Sequence, residues 1–259
     1  MSGLTDSCCN TPATETVWAK KGEEKILHVA NHEQHEHKTY RTGPKTATTG
    51  IIGVYDVMGY HPTGIQFFDR LAVAHGGFQV SVPNFFYKTN KVPPELFGDR
   101  PKLMEWLGAN GSYGAPSHVD SVIHAAVEDL RKDGCTHFVI YGQCWGALKA
   151  LEAAADEKMP FLAAGGPHPS MMTEELMKNA RCPVILLPAK DDPDMVPLVA
   201  IANEKNTKIK SEQHRFPTVQ HGWTGGRGDW SNPEQKKCAE EAIHLLATFT
   251  NKVVEASKA

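Results

Sequence analysis

An apolar segment that runs into a glycine-flanked cysteine decides the fold: Phe138-Val139-Ile140-Tyr141-Gly142-Gln143-Cys144-Trp145-Gly146-Ala147-Leu148. The apolar residues 138–141 predict a short buried strand, and the residues after Gly146 predict a helix. A strand, a nucleophile between glycines and a helix form the arrangement called a nucleophile elbow. Glycine suits its sharp turn because it has no side chain to clash. We therefore expect the Sγ atom of Cys144 to project from a strand end, against the first turn of a helix whose free N–H groups favour a thiolate.

Later parts of the chain supply the acid and the base that such a nucleophile needs. In this arrangement an acidic residue and then a histidine follow the nucleophile in chain order. The next strongly apolar run precedes three aspartates, and the spacing after that run favours Asp192, with Asp191 and Asp194 left open as alternatives. His221 lies in a loop further along the chain. The order cysteine, aspartate, histidine predicts nucleophilic catalysis with His221 as the base.

Other interpretations of Cys144 stay open at this point. The residue fits a buried cysteine beside two turn glycines, in a chain that has 22 glycines. It also fits a thiol enzyme of the redox or transferase type, in which a sulfenic acid or a mixed disulfide forms. A third alternative is a catalytically diverged protein that keeps the fold and binds a small acid or a partner protein.

The composition limits the classes of function. A net charge of −3 with scattered basic residues gives no footprint for nucleic acid or for an anionic membrane. No apolar run is long enough to span a bilayer, and the start of the chain lacks the pattern of a secretory signal. The six cysteines are not spaced as a disulfide framework. We expect a cytoplasmic protein, monomeric or homodimeric, that acts on a small molecule.

Predicted strands and helices alternate along the 259 residues without an internal repeat. This pattern is typical of one α/β domain with a doubly wound, mostly parallel sheet flanked by helices. We assign residues 23–259 to this domain and residues 1–22, which are polar, to a flexible N-terminal arm. A Pro- and Gly-rich excursion over residues 84–116 interrupts the pattern, and such excursions usually form or cover a site. Whether it is a mobile lid stays open.

Neither a cofactor motif nor a complete metal motif is present. No Gly-x-Gly-x-x-Gly follows a first strand and no Walker-type loop occurs, so nucleotide cofactors are not expected. The histidines between His28 and His37 and the vicinal pair Cys8-Cys9 are candidates for metal binding, or for redox chemistry in the case of the cysteines. Neither group comes with a recognisable ligand set. We therefore expect no cofactor and no metal.

The combined motifs resemble those of the dienelactone hydrolase family, which contains cysteine members of the α/β-hydrolase fold. The resemblance extends from about residue 45 to residue 250, and the Ser7-Cys8-Cys9 start is similar to that of fungal and other eukaryotic members. It implies a hydrolase that cleaves a small lactone or ester, of the dienelactone type, through an acyl-thioenzyme. Besides Gly-x-Cys-x-Gly and the acid, the motifs are Tyr55-Asp56-Val57-Met58-Gly59, Phe68-Asp69-Arg70-Leu71-Ala72, Val82-Pro83-Asn84-Phe85-Phe86 and His221-Gly222-Trp223.

The resemblance also implies roles for further residues. The backbone N–H groups of Trp145 and Val57 would form the oxyanion hole. Asp56 stands where bacterial members have a glutamate that helps to form the thiolate, and its side chain is one methylene shorter. Arg227 and Arg100 are the counterparts of two arginines that hold a substrate carboxylate in bacterial members.

Two aromatic side chains near these motifs have open roles. Trp223 follows His221 closely and either lines the pocket or packs in the core. His168 lies between two prolines after a predicted strand. We expect His168 to be structural or at the surface rather than part of the site.

Overall fold

The computed structural model describes residues 12–30, 32–115, 117–205 and 208–258, and these residues form one sheet of eight strands. The spatial order is β1-β2-β4-β3-β5-β6-β7-β8. Strand β2 is antiparallel to β1 and β4, and all other neighbours are parallel. The prediction of a mostly parallel sheet is therefore confirmed. The strands are β1 (Glu23–Leu27), β2 (His37–Thr42), β3 (Thr49–Val54), β4 (Gln79–Pro83), β5 (His137–Gly142), β6 (Phe161–Pro167), β7 (Val184–Leu187) and β8 (Glu212–Gln213).

Seven α-helices accompany the sheet in the described part of the chain. The start of the last one follows the predicted pattern, because Pro233 is its first residue and the side chain of Asn232 accepts hydrogen bonds from the N–H groups of Glu234 and Gln235. The helices are α1 (Pro62–Ala72), α2 (Arg100–Asn110), α3 (Val119–Lys132), α4 (Trp145–Ala155), α5 (Glu174–Asn179), α6 (Val196–Lys205) and α7 (Pro233–Ser257).

The central pair of strands explains where the site lies. Strands β3 and β5 run parallel with Thr49 opposite His137 and Val54 opposite Gly142, so both end at the same edge of the sheet. Both are buried along almost their whole length, as expected for parallel strands that are covered on both faces. The loop after β3 and the cysteine after β5 therefore meet at the carboxyl edge of the sheet, where open α/β sheets bind their ligands.

The described part of the excursion, residues 84–115, packs against the elbow. It contributes Phe85 and Phe86 to the core, where both are buried. The Phe86 ring lies 4.8 Å from the ring of Trp145, the residue that follows Cys144. The excursion thus forms a wall beside the nucleophile. Its mobility as a lid stays a prediction.

The described part of the N-terminal arm contacts the domain. The Trp18 Nε1–H group donates to Asp69 Oδ2 at 2.7 Å, and the Tyr40 hydroxyl donates to Asp69 Oδ1 at 2.6 Å. The N–H group of Thr14 donates to the carbonyl oxygen of Gly226 at 2.8 Å. The boundary at residue 22 stays a prediction, and the Cys8-Cys9 pair lies outside the described residues. Among the helices that are described, none is long and apolar enough to cross a membrane.

Candidate active site

The elbow holds Cys144 between the end of β5 and the start of α4. Cys144 has a φ of 56° and a ψ of −114°, a left-handed conformation that costs a non-glycine residue about 1–3 kcal/mol and occurs mostly at functional sites. A Cβ atom at Gly142 would lie 2.0 Å from the carbonyl carbon of Gly146, and one at Gly146 would lie 2.2 Å from the oxygen of Val54. Any side chain at either glycine would therefore force the turn open and move Cys144.

The loops after β7 and β8 bring Asp192 and His221 together. Asp192 Oδ1 lies 2.6 Å from His221 Nδ1, and Asp192 Oδ2 accepts a hydrogen bond from the N–H group of Ala189 at 2.8 Å. Both side chains are buried. This contact orients the imidazole and directs its Nε2 atom away from the carboxylate, as a general base requires.

The other two aspartates of the loop face different partners. Asp191 Oδ1 accepts from the backbone N–H of His221 at 2.7 Å, so it helps to position the histidine loop. Asp194 Oδ1 accepts from the N–H group of Val196 at 3.1 Å, at the start of α6. Of the three candidates from the sequence, Asp192 is the one whose carboxylate lies at hydrogen-bond distance from the imidazole, at 2.6 Å.

The electrostatic environment keeps a proton on His221. Burial alone lowers the pKa of this histidine, but the negative charges of Cys144 and Asp192 and their hydrogen bonds outweigh burial and raise the pKa to about 10. At neutral pH His221 therefore carries a positive charge. A cation beside a cysteine favours ionisation of its thiol.

The loop after β6 supplies two side chains to the site that the sequence did not assign to it. The Ser170 hydroxyl oxygen lies 3.3 Å from Cys144 Sγ and 3.4 Å from His221 Nε2. The His168 ring lies with its centroid 4.9 Å from that of His221, and its Nε2 atom is 2.9 Å from the hydroxyl oxygen of Thr224. His168 is therefore buried beside His221 and not at the surface, while a structural role for it stays a prediction.

His168 differs from His221 in charge. It is fully buried, and burial lowers its pKa, which the nearby Cys144 only partly offsets. His168 is therefore neutral at neutral pH. Its position after β6 is the signal that points to the site, because the loops at the carboxyl ends of parallel strands carry ligand-binding residues. The left-handed φ of 38° that turns its ring inward is not visible in the sequence.

Asp56 joins the end of β3 to the loop that follows His221. Its Oδ1 atom accepts from the N–H group of Met58 at 2.8 Å, and its Oδ2 atom accepts from the N–H group of Gly226 at 2.8 Å. A Cβ atom at Gly225 would lie 2.2 Å from Oδ2, so glycine is required beside this carboxylate. Burial and then the charge of Cys144 raise the pKa of Asp56. The geometry gives Asp56 a part in holding the histidine loop.

The predicted oxyanion donors lie at the same edge of the sheet. The N–H group of Gln143 donates to the carbonyl oxygen of Val54 at 2.9 Å, which ties the elbow to the end of β3. Trp145 begins α4, and Val57 follows Asp56 in the adjacent loop. Neither the N–H group of Trp145 nor that of Val57 donates a hydrogen bond within the described part of the chain.

The predicted arginines and Trp223 lie in different environments. Arg227 is buried in the histidine loop, and its side chain packs against Gly222. Arg100 begins α2 with an exposed side chain, and no hydrogen bond or ion pair joins it to the site among the described residues. Trp223 is buried between the rings of His168 and Phe216, at 5.2 and 5.0 Å, so it packs behind the histidines.

A second group of histidines lies where β2 begins. The rings of His32, His37 and His118 have centroids 5.1–5.7 Å apart, and Tyr87 packs 4.7 Å from His37. Across the described ranges, no set of three or more histidine, cysteine or acidic side chains is arranged to hold a metal ion. We call this group, with His35, the edge histidine cluster.

Comparison with known proteins places this geometry in context. The model of the dienelactone hydrolase family matches residues 37–254. An uncharacterized AIM2 family protein of Schizosaccharomyces pombe is 28% identical over 219 residues, which cover 82% of this chain and 85% of that protein. A carboxymethylenebutenolidase homolog of Xenopus tropicalis is 26% identical over 245 residues, which cover 91% of this chain and 92% of that protein.

Among solved structures, the fold is similar to that of a soluble variant of the monoglyceride lipase of Saccharomyces cerevisiae. The TM-score is 0.58 at 10% identity, and the match covers 93% of this chain and 98% of the lipase chain. At this identity the likeness concerns the fold alone. The predicted α/β-hydrolase fold is confirmed.

Proposed function

This chain belongs to the dienelactone hydrolase family, and we propose that it hydrolyses a small ester or lactone with Cys144 as the nucleophile. His221 is the acid and base, and Asp192 orients it. The observation that carries the proposal is the buried contact of 2.6 Å between Asp192 Oδ1 and His221 Nδ1. His221 also lies in the same site as Cys144, because the hydroxyl of Ser170 contacts both side chains. Membership of a hydrolase family supports the reaction class.

The first half of the reaction acylates Cys144. The thiolate attacks the carbonyl carbon of the ester, and the N–H groups of Trp145 and Val57 donate to the oxyanion that forms. The imidazolium of His221 then gives its proton to the leaving oxygen, so that an alcohol departs and a thioester remains. In a lactone the alcohol stays attached to the acyl chain because the ring simply opens.

The second half returns the resting enzyme. Neutral His221 takes a proton from water, which attacks the thioester carbonyl, and the same oxyanion donors act again. Collapse of this intermediate releases the carboxylic acid and restores the thiolate beside the imidazolium. Asp192 stabilises the cationic ring in the resting state and in both transition states.

Arg227 is our candidate for binding an acidic substrate. The residue is buried in the loop that carries His221, and a guanidinium is well suited to a carboxylate because it presents donors in a planar fork. Dienelactones carry such a carboxylate. Arg100 has an exposed side chain and is the weaker candidate.

Substitution of the nucleophile tests the proposal. We expect Cys144→Ala to lower kcat/KM for p-nitrophenyl esters and small lactones by about 10⁴-fold or more, because both chemical steps lose their nucleophile. Cys182→Ala is the matched control, since Cys182 is also a buried free cysteine and precedes β7. Full turnover by Cys144→Ala on every substrate of the wild type would reject the proposal.

A further inference from the structure

The loop over residues 167–171 is fastened to the elbow by two backbone hydrogen bonds. The N–H group of Cys144 donates to the oxygen of Pro167 at 3.4 Å, and the N–H group of Ser170 donates to the oxygen of Cys144 at 3.3 Å. His168 and Met171 have left-handed φ values of 38° and 59°. Two such conformations in one short loop cost free energy, and they persist only where surrounding contacts impose them. The loop therefore fixes the position of Ser170 relative to Cys144.

The Ser170 hydroxyl forms the third corner of a triangle with Cys144 and His221. Its oxygen lies 3.3 Å from Cys144 Sγ and 3.4 Å from His221 Nε2, and the residue is 5% exposed. A serine hydroxyl has one proton to donate and two lone pairs that accept. It can therefore donate to one corner and accept from the other at the same time.

The charges of the two partners decide the direction of these bonds. A thiolate has no proton to donate, and the Nε2–H group of an imidazolium cannot accept. With Cys144 as thiolate and His221 as imidazolium, the Ser170 O–H group donates to Sγ and the Ser170 oxygen accepts from Nε2–H. Hydrogen bonds to ionised groups are about twice as strong as neutral ones, so this arrangement favours the ion pair over the neutral pair.

On this geometry we propose that Ser170 is a positioning residue whose hydroxyl donates a hydrogen bond to the Cys144 thiolate and keeps the His221 imidazolium beside it. The inference rests on the proposed function, because it assumes that Cys144 is the nucleophile. No bond to Ser170 forms or breaks: the thiol proton moves from Sγ to Nε2 of His221, and the serine keeps its own proton.

Charged or titratable groups on the neighbouring elements also affect the charge of Cys144. Asp56 at the end of β3 has a pKa raised by burial and by the charge of Cys144, and His168 after β6 has a pKa lowered by burial. His221, which Asp192 contacts, supplies a positive charge that acts on Cys144. A hydrogen bond from the Ser170 hydroxyl would add to the stabilisation that this cation gives a thiolate.

The test is the rate of iodoacetamide alkylation of Cys144 as a function of pH, measured by peptide mapping. A hydrogen bond to a charged group typically changes an equilibrium 10- to 100-fold, so we expect Ser170→Ala to move the acid limb of alkylation up by about 1–2 pH units. Burial raises the pKa of Cys135 to about 11 and of Cys182 to about 12 and raises that of Cys238, so these thiols stay unlabelled at low pH.

Two further variants separate a specific effect from general damage. Ser81→Ala removes a buried hydroxyl that pairs with Thr39 in the sheet. In this variant we expect the alkylation of Cys144 to rise with pH over the same range as in the wild type. Ser170→Thr keeps a hydroxyl, and we expect it to restore most of the wild-type limb. An equal shift in Ser170→Thr and Ser170→Ala would overturn the inference, because it would indicate damage to the loop rather than loss of a donor.

The outcomes also separate this inference from the proposed function. A wild-type acid limb well below the usual cysteine pKa of about 8.5, with no shift in Ser170→Ala, overturns the role of Ser170 and leaves Cys144 as an activated nucleophile. A wild-type limb near 8.5 overturns the role of Ser170, since then no resting thiolate exists for it to stabilise, whereas the proposed function is decided separately by turnover in Cys144→Ala. A low limb that rises only when the hydroxyl is lost supports the inference.

Discussion

Two groups of buried histidines in this molecule show opposite behaviour. His221 is 1% exposed and His37 is 0% exposed, so neither side chain has appreciable surface in contact with water. The pKa of His221 is raised to about 10, whereas the pKa of His37 is lowered to about 4. Burial lowers the pKa in both cases, and therefore the neighbours decide the difference.

The groups that surround the two histidines differ in the sign of their charge. His221 faces the carboxylate of Asp192 at 2.6 Å and the sulfur of Cys144, whereas His37 faces other histidines of the edge cluster. Within the described residues neither ring nitrogen of His37 has a hydrogen-bond partner. A buried histidine is thus suited to proton transfer only where an anion stabilises its charged form, whereas His37 and His118, each with a pKa lowered to about 4, are neutral at neutral pH.

Removal of the Asp192 carboxylate should abolish the difference between the two histidines, and it has the largest expected effect. In Asp192→Asn we expect kcat for ester hydrolysis to fall by about 10²- to 10⁴-fold, because His221 loses the charge that stabilises its cation and fixes its tautomer. The pKa of His221 should fall towards that of a buried histidine without an acidic partner. Steady-state kinetics and an NMR titration of the His221 ring measure the two effects.

Neighbouring aspartates provide controls of matched chemistry. Asp194→Asn should leave kcat within about twofold, since the Asp194 carboxylate accepts a hydrogen bond from the N–H group of Val196 at the start of α6. Asp191→Asn should have an intermediate effect through the backbone of His221. A loss in Asp194→Asn as large as that in Asp192→Asn would contradict the assignment of the acid.

The edge cluster predicts a smaller effect, on stability rather than on catalysis. An unfolded histidine binds a proton below about pH 6.5, whereas folded His37 binds one only below about pH 4. The unfolded state therefore takes up the proton first as the pH falls. The contribution of His37 to the free energy of unfolding is complete above pH 6.5 and is lost as the pH falls through about 4, by about 2–3 kcal/mol.

Urea denaturation at several pH values between neutrality and pH 4 checks this prediction. His37→Phe fills the same space without a titratable group, so its stability should fall by about 2–3 kcal/mol less than that of the wild type over this range. His124→Phe is the control, because His124 is exposed on α3. Equal acid sensitivity of His37→Phe and the wild type would show that the edge cluster does not control acid stability.

The sequence was sufficient to predict the elbow and the fold. Glycines on both sides of Cys144 after an apolar strand have few structural explanations, and alternating strands and helices define a parallel sheet. The order of the acid and the histidine follows from the topology, since residues after successive strands meet at one edge. The choice between Asp191 and Asp192 could not be made from the sequence alone, because neighbouring residues in a loop point in different directions.

The contribution of the loop after β6 to the site could not be predicted from the sequence. His168 and Ser170 lie near Cys144 because the loop after β6 adopts left-handed backbone conformations. The residue types in this loop do not predict such conformations. The part of Asp56 in holding the histidine loop depends on its contact with Gly226, a residue 170 positions away in the chain. Contacts of this kind come from tertiary packing, whereas sequence patterns report local structure.

Direct detection of the acyl-enzyme tests the central claim, that Cys144 is the nucleophile of an ester hydrolase. The protein is mixed with p-nitrophenyl acetate and quenched rapidly in acid, and its peptides are examined by mass spectrometry. The account predicts one acetyl group on the peptide that contains Cys144, removable by neutral hydroxylamine, and none in Cys144→Ala. Ester turnover with the acetyl group on a different residue, or retained in Cys144→Ala, would contradict it.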